Sequence, residues 1–210
     1  MPAPATLILA SRSRRRAQLL REAGFACHVQ TPLFDDPADP SANGENALSP
    51  AELAQHLARH KALSMRGQTP PDVVILAADT IVVVPTDTGF ELLGQPGTPE
   101  EARRIIEKLA NRVHEVVTGV ALMSGDGTRL ETFADTARVH LGNVSESQLE
   151  QHLTDNAWRG KAGGYNLDEL RDHWPFRVEG DETTVVGLPM VKLMQRLRDW
   201  GIEPSEEANR

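Results

Sequence analysis

Residues 73–84, VVILAADTIVVV, constrain this chain more than any other stretch. The segment is too rich in Val and Ile for a helix, and it is apolar at odd and even positions alike. That pattern belongs to a strand at the centre of a sheet covered on both faces. Helix and strand signals alternate around it. TLILA at the start reads as a strand, followed by a helix over residues 15–23 closed by Gly24, and then by the alternating FACHV. Ser49-Pro50-Ala51-Glu52 has a Ser cap, a Pro at the first helical position and a Glu three after the cap, which opens a helix to about Met65. Thr98-Pro99-Glu100-Glu101 repeats the signature for a helix to about Ala110. Strands are expected over residues 114–123 and 131–139, and Ser145 is expected to cap a short helix. A last helix starts near Pro189, sets Val191, Met194 and Leu197 on an apolar stripe that Met190 and Leu193 could extend, and stops at Gly201. The expected class is α/β, with an elongated mixed β-sheet flanked by helices.

At 210 residues the chain lies near the upper end of about 100–200 residues per domain, so one domain with two lobes is the economical expectation. No apolar run approaches the roughly 18 residues of a membrane span. MPAPATLILAS has no basic segment ahead of its apolar stretch, so a secretory signal is not expected and a cytoplasmic protein is. The single cysteine, Cys27, alternates with Phe25 and Val29 and reads as packing rather than as a nucleophile. A net charge of -8 argues against non-specific DNA binding, so any anionic ligand needs a local basic site or a metal. Order is expected to be lowest over residues 35–46 and 203–210.

Five places carry chemistry. Ser11-Arg12-Ser13-Arg14-Arg15-Arg16 follows the first strand and begins a helix. Each cation in a first helical turn is disfavoured by about 0.3–1 kcal/mol. The arrangement makes sense if an anion such as a polyphosphate docks on the free N–H groups, with Ser11 and Ser13 donating and the guanidiniums gripping oxygens. The alternative is a solvated basic turn with Ser13 as an ordinary cap. Asp79-Thr80 interrupts the apolar strand, where an unpartnered carboxylate costs several kcal/mol. It demands a partner, and metal coordination or activation of a water would supply one; alternatively the strand ends at Ala78 and turns. Lys61 shares a helix face with Leu53 and Leu57, so its ammonium points into a site or snorkels to the rim. Asp35 and Asp36 are candidate ligands for Mg²⁺ or Mn²⁺, or simply a solvated acidic loop. Gly160-Lys161-Ala162-Gly163-Gly164-Tyr165 lets backbone approach a ligand beside a cation and a ring. Val185-Val186-Gly187-Leu188-Pro189 reads as a strand, a tight turn and a helix start, and taken alone is structural.

Taken in order, these segments resemble the Maf family, whose members carry LASxSPRR, ADT, GKAGAY and VVGLP in the same order along the chain. The match spans nearly the whole chain. The resemblance implies an ITPase-like α/β fold with two lobes and a cleft, commonly a homodimer, and metal-dependent hydrolysis of nucleoside triphosphates between the α and β phosphates. By position, Ser11, Arg15 and Arg16 match the family's phosphate-binding residues, Lys61 and Lys161 its lysines, and Asp79 its catalytic, metal-associated aspartate. Asp36 falls where the family has an acidic residue, often Glu. Thr80 and HEVVTGVAL over residues 114–122 are similar to the branch acting on dTTP and UTP. Arg14 stands in place of a proline, Gln95 in place of a lysine, and Asp168 about where that branch has a glutamine. A pyrophosphatase preferring modified nucleotides such as 7-methyl-GTP, and a nucleotide-binding regulator with weak catalysis, are the rival expectations.

Overall fold

The computed structural model describes residues 6–34 and 48–205. Seven strands form one mixed sheet. They are β1 (Thr6–Ala10), β2 (His28–Gln30), β3 (Val73–Thr86), β4 (Gly89–Leu93), β5 (Arg112–Ser124), β6 (Leu130–Leu141) and β7 (Phe176–Glu179), in the order β2-β1-β3-β5-β6-β7 with β4 on β3. The α-helices are α1 (Arg14–Glu22), α2 (Pro50–Leu63), α3 (Pro99–Leu109), α4 (Glu146–Thr154), α5 (Leu167–Leu170), α6 (Glu182–Val186) and α7 (Met190–Asp199). β1 runs parallel to β2 and β3, while β4 returns antiparallel on β3 and β7 on β6. Parallel neighbours need crossover connections, and the first of these carries α1.

The chain divides into two compact units. The first comprises Met1–Asp79, Thr118–Asp135 and Gly187–Arg210, and the second Thr80–Val117 and Thr136–Val186. In the first unit the two-residue side-chain period sorts the strands onto two cores. Leu7, Leu9, Val74, Leu76 and Ala78 pack with Ala17 and Leu20 of α1 and Leu193 and Leu197 of α7. The alternate residues Ile8, Ala10, Val73, Ile75 and Ala77 pack with Ala58, Ala62 and Met65 at α2. This two-sided burial is why residues 73–78 are continuously apolar. The second unit has its own core of Val82, Val84, Leu93, Ile106, Val116, Val139, Tyr165 and Trp174.

The helix starts follow the caps. Ser49 with Glu52, and Ser145 with Gln148, each form reciprocal capping boxes. At α3 Thr98 accepts from the Glu101 N–H, but the Glu101 carboxylate takes the Gly97 N–H at 2.8 Å, so that box is only half formed. Three expectations change. The FACHV stretch is strand only from His28, with Phe25 buried before it and Val29 55% exposed, because β2 pairs on one side alone. Cys27 is half-buried against the first core, and burial pushes its thiol pKa up, as suits packing. Val185 and Val186, expected as a strand, instead end the short helix α6: their β-branched preference is overridden by the Asp181 side chain, which accepts from the Thr183 N–H at 2.9 Å and starts the turn. On α7 the buried positions are Met190, Leu193 and Leu197, whereas Val191 is 70% exposed. The acidic tail expected from 203 onward lies outside the described residues beyond Ser205.

Two side-chain facts generate tests. A Cβ on Gly119 of β5 would lie 2.2 Å from the Ala54 backbone of α2, so glycine is what allows that helix to pack so closely on the strand. Gly119→Ala is expected to destabilise the protein by about 1–3 kcal/mol, read from urea unfolding. In the second unit His114 is fully buried, its Nε2 2.7 Å from the Tyr165 hydroxyl. Burial, aided by nearby His140, lowers its pKa from 6.5 to about 4. Between those values the unfolded chain binds a proton that the folded chain refuses. Stability should therefore fall as pH drops through that window and level off below it, a loss on the order of 3 kcal/mol. Denaturant midpoints from pH 7 to 4 should show this slope, and His114→Gln should flatten it.

Candidate functional site

The first unit gathers most of the sequence candidates at the ends of β1 and α2 and within β3. Ser11 follows β1, is 4% exposed, and donates its N–H to the Gln30 carbonyl at 3.1 Å. Its Oγ accepts the Ser13 N–H at 3.0 Å and lies 3.4 Å from Arg16 Nη1. Ser13 sits in extended conformation as the cap of α1 and accepts the Arg16 N–H at 3.4 Å. The ordinary-cap reading of Ser13 is therefore correct, and it is compatible with the turn facing an anion. No acidic residue occupies the first turn of α1, which Arg14, Arg15 and Arg16 fill.

Arg16 organises this turn. Its Nε donates to the Gly187 carbonyl at 2.8 Å and its Nη1 to the Ala78 carbonyl at 2.9 Å. One rigid fork thus ties the start of α1 to β3 and to the bend ahead of α7. Gly187 has a φ of 126°, which explains why this bend carries glycine. The family motif around residues 185–189, structural when read alone, supplies an acceptor to the site through this carbonyl.

Asp79 is inside β3, which continues without a break to Thr86, so the alternative of a turn at Ala78 does not hold. The residue is 8% exposed. Lys61, in the last turn of α2, forms an ion pair with its Oδ1, both side chains being 11% exposed. The inward reading of Lys61 is the one the structure supports. Ala78 therefore presents its carbonyl to Arg16 while its chain neighbour presents a carboxylate to Lys61. Thr80 comes next in the strand and is half-buried. Arg15 is half-buried on the same turn as Arg16. An open hollow of about 560 Å³ borders the turn, with Ser11, Arg12, Ser13 and Arg14 in its wall.

In the second unit, Lys161 forms an ion pair with Glu169, whose other oxygen accepts from the Asn166 amide at 2.6 Å. Gly160, Gly163 and Gly164 all have left-handed φ, between 66° and 72°. At Gly163 and Gly164 the close approach is made to the protein itself, whereas Gly160 is open. The Gly163 N–H donates to the Gly94 carbonyl at 3.2 Å, and a Cβ there would press on Val82 at 3.1 Å. Gln95 and Asp168, the positions departing from the family pattern, are both exposed.

Asp35 and Asp36 lie outside the described residues. Among the described residues, no group of three or more His, Cys, Asp or Glu could hold a metal ion. The donor chemistry still fits a hard cation. Mg²⁺ is commonly held by one or two carboxylates together with substrate oxygens, and Asp79 is a carboxylate of that kind near the serine–arginine turn. Sequence reasoning missed the backbone acceptors at Ala78 and Gly187 and the pairing of Lys161 with Glu169, since none leaves a local pattern. It also passed over Arg21, which lines the same hollow and stands seven residues after Arg14 on one helix face.

Lys61→Met would leave the Asp79 charge buried without its ion-pair partner and is expected to cost about 3–5 kcal/mol in thermal or urea unfolding. Adding Asp79→Leu to that variant should restore most of the loss, because a neutral pair requires no compensation.

No helix among the described residues is long and apolar enough to cross a membrane. The profile of the family described as Maf-like protein matches residues 6–200. The chain is similar to a dTTP/UTP pyrophosphatase of Brucella abortus (strain 2308), with 35% identity over 200 residues covering 93% of this chain and 91% of the relative. A protein of the same name from Pyrococcus abyssi (strain GE5 / Orsay) is 36% identical, covering 94% and 97%. Another from Shouchella clausii (strain KSM-K16) is 33% identical, covering 95% and 98%. The buried lysine–aspartate pair and the serine–arginine turn thus lie within a match that runs almost from end to end, and this chain belongs to the Maf-like protein family.

Proposed function

We propose that the protein hydrolyses nucleoside triphosphates between the α and β phosphates, with dTTP and UTP as substrates, releasing the nucleoside monophosphate and pyrophosphate. The observation that carries this reading is the buried Asp79 carboxylate, held by Lys61 and joined through Ala78 to the Arg16–Ser11 turn. The names of the relatives support the choice of bases.

In this reading, Ser11, Ser13, Arg15 and Arg16 hold the phosphates, and Lys161 is a further phosphate contact. Arg16 is already fixed by two backbone carbonyls, so its placement needs no reorganisation when substrate arrives. Asp79 accepts the proton of a water whose oxygen attacks the α-phosphorus. The bond from that phosphorus to the oxygen bridging to the β-phosphate breaks, and pyrophosphate leaves with the electron pair. Lys61 keeps Asp79 oriented and takes part of the charge balance. A divalent ion, Mg²⁺ or Mn²⁺, held by Asp79 and by Asp36 would neutralise phosphate charge and favour ionisation of water. Thr80, beside Asp79, would contact substrate. A homodimer in the cytoplasm completes the proposal, and light scattering after gel filtration tests the dimer.

The deciding experiment incubates purified protein with Mg²⁺ or Mn²⁺ and a panel of common and 7-methylated nucleoside triphosphates, with products resolved by chromatography. UMP and dTMP with pyrophosphate are the expected products. Asp79→Asn should lower kcat by about 10²–10⁴-fold, measured at a temperature where circular dichroism shows the variant still folded, since it removes the charge that pairs with Lys61; chelation by EDTA should stop turnover until metal is restored. Diphosphate with phosphate would refute the α–β cleavage, and metal-dependent binding without product would indicate a regulator.

A further inference from the structure

The hollow beside the serine–arginine turn is walled by Arg12, Arg14 and Arg21 as well as by Ser11 and Ser13, and among the described residues no carboxylate lines it. Thr31 and the exposed Val29 also line it. Arg14 and Arg21, with Gln18 between them, stand at i, i+4 and i+7 on the exposed face of α1. Among the described residues none of the three arginines has an ion-pair partner, unlike Arg103, which binds three glutamates. In a chain with net charge -8, three unneutralised guanidiniums facing one cavity form a local field opposed to that of the whole protein. About 560 Å³ also falls within the roughly 300–1,000 Å³ of ligand pockets.

Ser11 joins this hollow to the Asp79 end of the site. It lines the hollow, and its Oγ lies 3.4 Å from Arg16 Nη1, which in turn binds the carbonyl preceding Asp79. A polyphosphate with its α-phosphorus at Asp79 and its chain across Ser11 therefore runs toward the arginine wall. We propose that this wall receives the terminal phosphate of the nucleotide, so that Arg14 and Arg21 set the preference for triphosphates over diphosphates. The identity of the anion rests on the pyrophosphatase reading above; the existence of a polyphosphate subsite rests on the hollow alone. Arginine suits the role because its planar fork can grip two phosphate oxygens at once.

The test compares wild type, Arg14→Gln/Arg21→Gln, and the charge-matched surface control Arg104→Gln/Arg198→Gln, each checked for an unchanged unfolding midpoint. Three quantities are measured: KM for UTP, the inhibition constant of UDP, and the calorimetric affinity for inorganic tripolyphosphate. In the hollow variant KM for UTP should rise about tenfold or more, the loss of roughly 1.4 kcal/mol of charge-assisted contact. UDP inhibition should be unchanged, and tripolyphosphate should bind correspondingly more weakly than to the control. Equal losses for UTP and UDP, or a tripolyphosphate affinity matching the control, would overturn the proposal. If wild type turns over no nucleotide, the pyrophosphatase reading fails, and the tripolyphosphate titration still decides whether the hollow is a polyphosphate subsite.

Discussion

Asp79 carries a negative charge in the middle of a strand whose preceding residues are all in the core, and much else in the first unit is arranged around that charge. Burying a lone carboxylate costs several kcal/mol, which an ion pair offsets only if the partner is held in place. Lys61 is that partner, and α2 must sit close to the sheet and in one rotation for the ammonium to arrive. Leu53, Leu57, Ala54 and Ala58 fix the rotation by their burial. Gly119 allows the approach, since the helix backbone at Ala54 occupies the space a side chain would need. A packing constraint two turns away thus places a catalytic candidate.

Arg16 solves a related problem at the other side of β3. A guanidinium in the first turn of a helix is opposed by the helix dipole, yet here it is retained by carbonyls from two distant segments, Ala78 and Gly187. Those bonds fix the spacing between the serine turn and the strand that carries Asp79. The result is preorganisation: cations and hydroxyls are positioned before an anion arrives, and little is lost in orienting them. Arginines crowd the turn although the chain as a whole is acidic, so attraction for an anion there is local.

Most elements were legible because their causes are local. The capping boxes at Ser49 and Ser145, the left-handed Gly24 after α1 and the two-sided apolar run of β3 all specify structure within a few residues. The misreadings share a different cause. FACHV has a strand's alternation, but β2 lies at the edge of the sheet and is hydrogen-bonded only from His28. Val185 and Val186 are β-branched, but an Asp side chain starts a helical turn ahead of them. Val191 fits the apolar stripe of α7 in composition while the stripe in fact runs through Met190, Leu193 and Leu197. Each depended on which neighbour was present, which periodicity does not encode.

The sequence alone determined the class of the fold, the family, and which residues were chemically out of place: a carboxylate in an apolar strand, a lysine on an inward helix face, and cations at a helix start. Such residues are conspicuous because their cost is local and calculable from composition and period. Tertiary structure decided what relieves each cost. It paired Lys61 with Asp79 rather than leaving it at the rim, attached Arg16 to backbone carbonyls 62 and 171 residues away, and turned Lys161 to Glu169. It also collected Arg12, Arg14 and Arg21 around one hollow. Partners remote in the chain meet only when packed cores fix where their segments lie, so no local pattern could have named them.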